Sequence, residues 1–341
     1  MKRLLVLTPT TPSMFELRTT IRMKRLLVLL MLAFTATGLL AQPAPYPTKS
    51  IRVIVPTVAR TPIDHATRII AREFIEAWGQ PVLVDNRAAG DGVAAQGMVA
   101  NAQPDGHTLL MQSTAFVTLP LFSKLPYDTG RDFTPVARIA SSSLALVAHP
   151  SLAAASVKEL IALARRKPGA VSYASYGNGS LTHLAGDVFG GLAAIRLSHA
   201  AQRDVPQALG EVMAGRVQMM FLEIAYALPH VEAGALRALA TTGRVRSPLM
   251  PGLPTLAESG ASGYELALWF GAFAPAGTPA PIVERIAAEL ARILEAPGMD
   301  RRMLEQGFEI AWLPAAEFQR FVRGEAQRLS ALVKKAVGSR Q

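Results

Sequence analysis

From residue 50 onward the chain alternates short β-branched runs with amphipathic stretches of ten to fifteen residues, joined by Gly, Pro, Asn and Asp turns. This two-period rhythm is βα repetition, and it confines the fold to parallel or mixed sheets covered by helices on both faces. Ile51–Val55 reads as the first strand, Asp64–Trp78 as a helix with Ile70, Phe74 and Trp78 on one face, and Pro81–Asp85 as the second strand. Residues 92–102 form a short Ala-rich helix, and His107–Gln112 returns as a strand after the Pro104-Asp105-Gly106 turn. Val136–Ala140 and Leu144–Ala148 are extended segments placed to cross between lobes.

A second series begins at the capping box Ser156-Val157-Lys158-Glu159. Strands are expected at 171–175, 195–199, 217–221 and 236–241, with helices near 181–190, 206–213 and 225–232. Tyr264–Phe273 is then extended, Pro281–Glu295 is helical, Phe308–Leu313 is a strand, and a helix from about Pro314 to Val337 closes the chain. Two series give two α/β lobes. If the last helices return to the first lobe, two crossings make a hinge, and a ligand belongs between the carboxyl ends of both sets of strands.

Composition agrees with two domains. A chain of 341 residues, 50% apolar and 18% charged, can bury a sizeable core. The absence of cysteine excludes disulfides, thiolate metal sites and a thiol nucleophile. The net charge of +10 resembles a nucleic-acid signal, but residues 1–41 carry about half of it and the remainder is scattered, so no nucleic-acid partner is expected.

Residues 1–41 read as an upstream extension plus a signal peptide. Met-Lys-Arg-Leu-Leu-Val-Leu occurs at 1–7 and again at 23–29, and Met23 is the expected start. Met23-Lys24-Arg25 is the positive segment, Leu26–Leu40 the apolar one, and Ala41 the cleavage position. A membrane anchor is the alternative, but the run of about 15 residues is shorter than a span requires. Export to the periplasm is the expectation.

The loop Ser175-Tyr176-Gly177-Asn178-Gly179-Ser180-Leu181-Thr182-His183 lies between a strand and a helix start. Its glycines permit close backbone approach, and first-turn amides with the Ser180 and Thr182 hydroxyls can cradle a carboxylate or phosphate. An ordinary Asn-Gly turn capped by Ser180 accounts for it equally well. The spacing and missing lysine exclude a P-loop. Ser180 with His183 could be nucleophile and base, yet no Gly-x-Ser-x-Gly elbow is present. His183 with Asp187 could bind a metal, yet no third ligand is near in sequence.

After the first strand, Pro56–Asp64 brings Arg60 and the Thr57 and Thr61 hydroxyls toward an anion site, with Asp64 or Thr61 as N-cap; a merely solvated Arg60 is the alternative. Ser113 and Thr114 occupy the same topological position after the third strand, and Arg203 lies between a strand and the next helix. Small hydroxyls, glycines and arginines in four such loops suggest a polar site for a small acid.

From Tyr46 to Val337 the chain resembles the Bug family of periplasmic solute-binding proteins of tripartite tricarboxylate transporters. The resemblance rests on Tyr46–Arg52, Gly79–Val82 with Val84–Arg87, Pro104–Leu110, Leu125–Asp128, Ser156–Leu160, Gly177–Ser180 with His183–Gly186, and Phe273–Pro279. It implies a two-lobed Venus-flytrap fold, each lobe a mixed sheet flanked by helices and joined by a hinge. It implies residues 46–145 and 255–341 as lobe 1, and 146–254 as lobe 2. It further implies closure on a small carboxylate held by backbone amides and ordered waters, delivery to membrane permease subunits, and neither cofactor, metal nor catalysis.

Carried over, the family's binding loops fall on Pro56–Asp64, Ser113-Thr114, Gly177–His183 and Ala200–Val205. Two of these loops, and the end of the strand at 217–221, depart from the usual pattern. Ala59-Arg60-Thr61 replaces a Pro-Gly-Gly run, so bulkier residues narrow the site or forbid positive φ; Ala201-Gln202-Arg203-Asp204 replaces Pro-Tyr-Lys-Gly; and Leu222-Glu223 replaces an Asp-Asn pair. The candidate ligand-binding residues are therefore Thr57, Arg60, Thr61, Asp64, Ser113, Thr114, Gly177, Asn178, Gly179, Ser180, His183, Gln202, Arg203 and Glu223. Arg60 and Arg203 are placed to pair with acid groups. Loss of transport, with a sensing or protein-partner role, is the alternative function.

Overall fold

The βα rhythm is realised in the computed structural model, which describes residues 46–88, 92–177 and 180–338. The leader at 1–41, Asn178 and Gly179 lie outside the described residues. The first series comprises β1 (Ile51–Val55), α1 (Pro62–Trp78), β2 (Val82–Asn86), α2 (Val93–Ala100), β3 (Thr108–Ser113) and α3 (Ala115–Phe122). β1 pairs in parallel with β2 on one side and β3 on the other. Local signals set the helix ends. α1 starts with Thr61 as N-cap and Pro62 in its first turn, and stops at Gly79, whose φ of 64° is readily available only without a Cβ.

The next strand, β4 (Phe133–Ala148), joins the two halves. It is followed by α4 (Val157–Arg166), β5 (Ser172–Ser175), α5 (Leu181–Ala193), β6 (Ser198–Ala201), α6 (Val205–Met213), β7 (Met219–Glu223), α7 (Ile224–Glu232) and β8 (Arg237–Thr241). The chain then returns through β9 (Ala267–Pro275), α8 (Ala280–Leu294), α9 (Met299–Leu304), β10 (Glu309–Pro314) and α10 (Ala315–Gly338). The strand order is β2-β1-β3-β9-β4-β7-β5-β6, with β10 and β8 also paired to β4.

β4 belongs to two sheets in turn. Phe133–Ser143 pairs antiparallel with β9, and part of that stretch with β10. Leu144–Ala148 pairs antiparallel with β7, and Ala145–Ala148 also with β8. The switch occurs between Ser143 and Leu144, and the return crossing lies between β8 and β9. This is a two-lobed α/β fold with a mixed sheet in each half. Both faces of the second sheet are covered, as its alternation requires: Tyr173, Met219 and Phe221 enter one core, while Ala174, Met220 and Leu222 enter the other.

The structure corrects four sequence expectations. The two extended segments at 136–140 and 144–148 are one continuous strand. The sixth strand lies at Ser198–Ala201 rather than 195–199, because pairing with β5 fixes its register. Helices α3 and α9 are additional. α3 carries Pro120 inside it and is almost wholly apolar, so it lacks the polar face that makes a helix readable.

Candidate functional site

Register locates the site. Ser113, at the end of β3, pairs with Phe270 of β9, and Phe270 pairs with Ala140 of β4. Glu223, at the end of β7, pairs with Leu144. The carboxyl ends of β1, β2 and β3 therefore approach the β4 switch from one side. Those of β5, β6 and β7, which run parallel, approach it from the other. Loops at these ends are the natural place for a ligand.

The first loop is organised around Asp64, which is 1% exposed. Its carboxylate accepts from the Arg60 amide at 2.8 Å, from Asn86 Nδ2 at 3.0 Å and from Arg68 Nε at 3.1 Å. Burial alone would raise its pKa, but the bonds from Arg68, Arg60 and Asn86 outweigh it and hold the carboxyl below its ordinary value. Asp64 is thus turned into the loop as its anchor. Arg60 adopts φ 70° although it is not glycine, and its amide bond to Asp64 fixes that conformation. The expectation that a Cβ forbids positive φ at this place does not hold. The Arg60 side chain is exposed and forms no ion pair among the described residues. Thr57 and Thr61 hydroxyls lie 2.9 Å apart, and Thr61 Oγ1 also caps the Asp64 amide at 3.4 Å.

The second loop contributes less than expected. Thr114 is fully buried, its Oγ1 accepting from the Trp269 amide at 2.9 Å while its own amide donates to Trp269 O at 3.0 Å. Its hydroxyl serves β9. Ser113 is half-buried and its amide donates to Gln112 Oε1 at 2.7 Å.

In the third loop Ser180 is the N-cap of α5: its Oγ accepts from the His183 amide at 3.2 Å and donates to Gly177 O at 2.8 Å. Gly177 has φ 118°, a conformation side chains rarely adopt. Thr182 Oγ1 accepts from the Tyr176 amide at 3.2 Å. The His183 ring points elsewhere. It stacks on His199 with centroids 4.0 Å apart, and its Nε2 lies 3.3 Å from Asp187 Oδ2. Ser180 and His183 therefore do not form a nucleophile–base pair. Ser175 Oγ does lie 2.7 Å from His199 Nε2, but Ser175 is fully buried and cannot meet a substrate. Among the described residues no three His, Cys, Asp or Glu side chains form a metal-binding group, so the pair His183 and Asp187 gains no third ligand.

In the fourth loop the Gln202 amide extends the sheet by donating to Ser175 O at 2.9 Å. Arg203 is exposed, with its amide and Nε directed at Gln207 Oε1. Glu223 ends β7 and accepts from Tyr176 Oη at 2.6 Å. Burial pushes the Glu223 carboxyl above its ordinary range, partly offset by the Tyr176 bond. Burial and the facing carboxylate push the Tyr176 phenol well up, and burial followed by Glu223 takes Tyr226 to about 12. Tyr176, Asn86 and His199 were not among the candidates. Asn86 and Tyr176 do lie at or just beyond strand carboxyl ends, which was the available signal.

Comparison with known proteins adds an independent finding. The family described as "Tripartite tricarboxylate transporter family receptor" matches residues 66–337. Protein BugT of Bordetella pertussis is 30% identical over 307 residues, covering 88% of this chain and 94% of that one. The solved structure "R. palustris Rpa4515 with adipate" superposes with a TM-score of 0.78 at 32% identity, covering 86% of this chain and 98% of the other. The structure "MatC (Rpa3494) from Rhodopseudomonas palustris with bound malate" superposes with a TM-score of 0.72 at 28% identity, covering 84% and 100%.

Proposed function

As a member of the tripartite tricarboxylate transporter receptor family, the chain is a solute-binding protein, and we propose that it captures a small organic acid between its lobes in the periplasm and delivers it to the transporter's membrane permease. Support comes above all from the strand register, which aims six strand carboxyl ends at one switch point in β4. On this reading the chain divides near residues 145 and 255, and binding draws the halves together by rotation about the two crossings.

The loops supply suitable chemistry for an anion. The first amides of α5 have no intrahelical acceptor, and with Ser180 Oγ occupied by His183 N–H, the amide of the half-buried Leu181 is the donor left for a carboxylate among the described residues. Arg60 and Arg203 add cations from opposite sides, each capable of a charge-assisted bond worth about 1.5–3 kcal/mol. Adipate and malate in the two structural relatives are small carboxylates of this kind. The role we propose is binding, as in the receptor family to which the chain belongs. Export fits the leader read at residues 1–41, and no helix among the described residues is long and apolar enough to cross a membrane.

Isothermal titration of residues 42–341 against di- and tricarboxylates, amino acids, hydroxy acids and aromatic acids tests the reading. Saturable binding of at least one acid is expected. Absence of heat and of thermal shift with every acid would overturn it.

A further inference from the structure

We propose that Glu223, held in place by Tyr176, forms a specificity-determining, hydrogen-bond-accepting wall of the interlobe site, selecting an acid that carries an ammonium or hydroxyl group at the end remote from its carboxylate. The proposal rests on the receptor reading above and refines its ligand class.

Position is the first argument. Glu223 stands opposite Leu144, at the switch of β4, and Tyr176 immediately follows Ser175 at the end of the neighbouring strand β5. Both are therefore at the focus of the strand ends. Rigidity is the second. The Tyr176 ring packs on the core that contains Ala174, Met220 and Leu222, and its amide is held by Thr182 Oγ1. Its hydroxyl then fixes Glu223 Oε2 at 2.6 Å. The carboxylate is a placed group rather than a solvated side chain free to swing away.

Charge is the third. Glu223 has no Lys or Arg partner among the described residues, and the ionisable groups facing it are Tyr176 and Tyr226. Its protein donors are the Tyr176 hydroxyl and its own backbone N–H, two for a carboxylate whose oxygens together can accept about four hydrogen bonds. A carboxylate only accepts, so a second ligand carboxylate brought against it meets like charge in a partly desolvated place. An ammonium or hydroxyl donor completes the set instead. Burial works in the same direction, since it destabilises the unpaired Glu223 anion and makes a donor more valuable there. A site built around a hydrogen-bonding group discriminates strongly against analogues lacking it. The expected preference departs from the adipate and malate bound in the two structural relatives.

The test takes residues 42–341, intact and as Glu223→Gln and Tyr176→Phe, and titrates matched acids at the chain length that binds best. Succinate, 3-aminopropionate and 3-hydroxypropionate form one such set; adipate, 5-aminopentanoate and 5-hydroxypentanoate form another. In the unmodified protein the amino or hydroxy acid should bind about tenfold or more tighter than its diacid. Glu223→Gln should abolish or invert that ratio, and Tyr176→Phe should reduce it while leaving the fold intact by circular dichroism. A protein that favours the diacid, or a ratio unchanged by Glu223→Gln, overturns the inference while leaving the receptor reading standing. A diacid preference in the unmodified protein that weakens as pH rises would show a protonated Glu223 donating to the ligand, the opposite of the proposal. Failure of every acid to bind removes both.

Discussion

Leu144 and Thr242 exchange two hydrogen bonds: the Leu144 amide donates to Thr242 Oγ1 at 2.8 Å, and the Thr242 amide donates to Leu144 O at 2.9 Å. Leu144 is where β4 enters the second sheet, and Thr242 is the first residue after β8 on the return path. The two crossings are thereby fastened to each other. Thr242→Val keeps the shape but leaves the fully buried Leu144 amide without its acceptor. The expected loss is roughly 1–3 kcal/mol in guanidinium unfolding, with Thr242→Ser close to the parent. Equal stability of Thr242→Val and the parent would show that this fastening contributes nothing.

The halves also touch at Gly307 and Ala225. Gly307, between α9 and β10, has φ 80°, and a Cβ there would stand 2.6 Å from Ala225 Cβ and 3.2 Å from Ala225 N at the start of α7. Gly307→Ala adds left-handed strain of about 1–2 kcal/mol and a clash with the Ala225 Cβ, which is fixed to its backbone and cannot step aside as the end of a flexible side chain can. Because the contact bridges the two sheets, the variant should resist the closure proposed above. Its ligand affinity should fall about tenfold with little change in the secondary structure, read by titration and circular dichroism. Unchanged affinity would place this contact outside the closing motion.

Asp64 makes the first loop sensitive to acid. Its folded pKa is depressed, so its stabilising contribution is complete above the unfolded value of about 3.9 and disappears as pH falls through the lower folded value. Asp64→Asn should lower the melting temperature by a constant amount between neutrality and about pH 5, and the gap should close below about pH 4. At neutral pH the cost should be about 1–3 kcal/mol, moderated because Arg68 is exposed enough to turn to water. A gap independent of pH down to the unfolding limit would contradict the assignment.

Glu223 should behave with the opposite sign. Its folded pKa is raised, so it imposes no penalty below the unfolded value of about 4.3 and a growing one as pH rises through the folded value. In the absence of ligand, Glu223→Gln should therefore melt higher than the parent at pH 7 and level with it near pH 4. Thermal unfolding at those two values decides the matter, and a variant that melts lower at pH 7 would refute it.

Much of the fold was legible because its signals are local. Thr61, Ser156 and Ser180 each cap a helix, and each was visible as a hydroxyl ahead of an amphipathic run. The turn from β5 into α5 was legible for the same reason. The continuity of β4 was not: Ser141-Ser142-Ser143 break the apolar pattern, and β9 on one side holds them in the strand. Ser198–Ala201 has little strand character of its own and becomes β6 only by pairing with β5.

What the sequence by itself determined was the alternation of strands and helices, the capped helix starts, the loops at strand ends and, through its motifs, the family. What only the tertiary structure decided was which polar groups meet. Asp64 finds Asn86 across 22 residues, Ser175 finds His199 across 24, and Tyr176 finds Glu223 across 47. Helix and strand periodicities act over a few residues. Hydrogen bonds between strand ends depend on sheet order and register, which are set by the burial of whole faces at once.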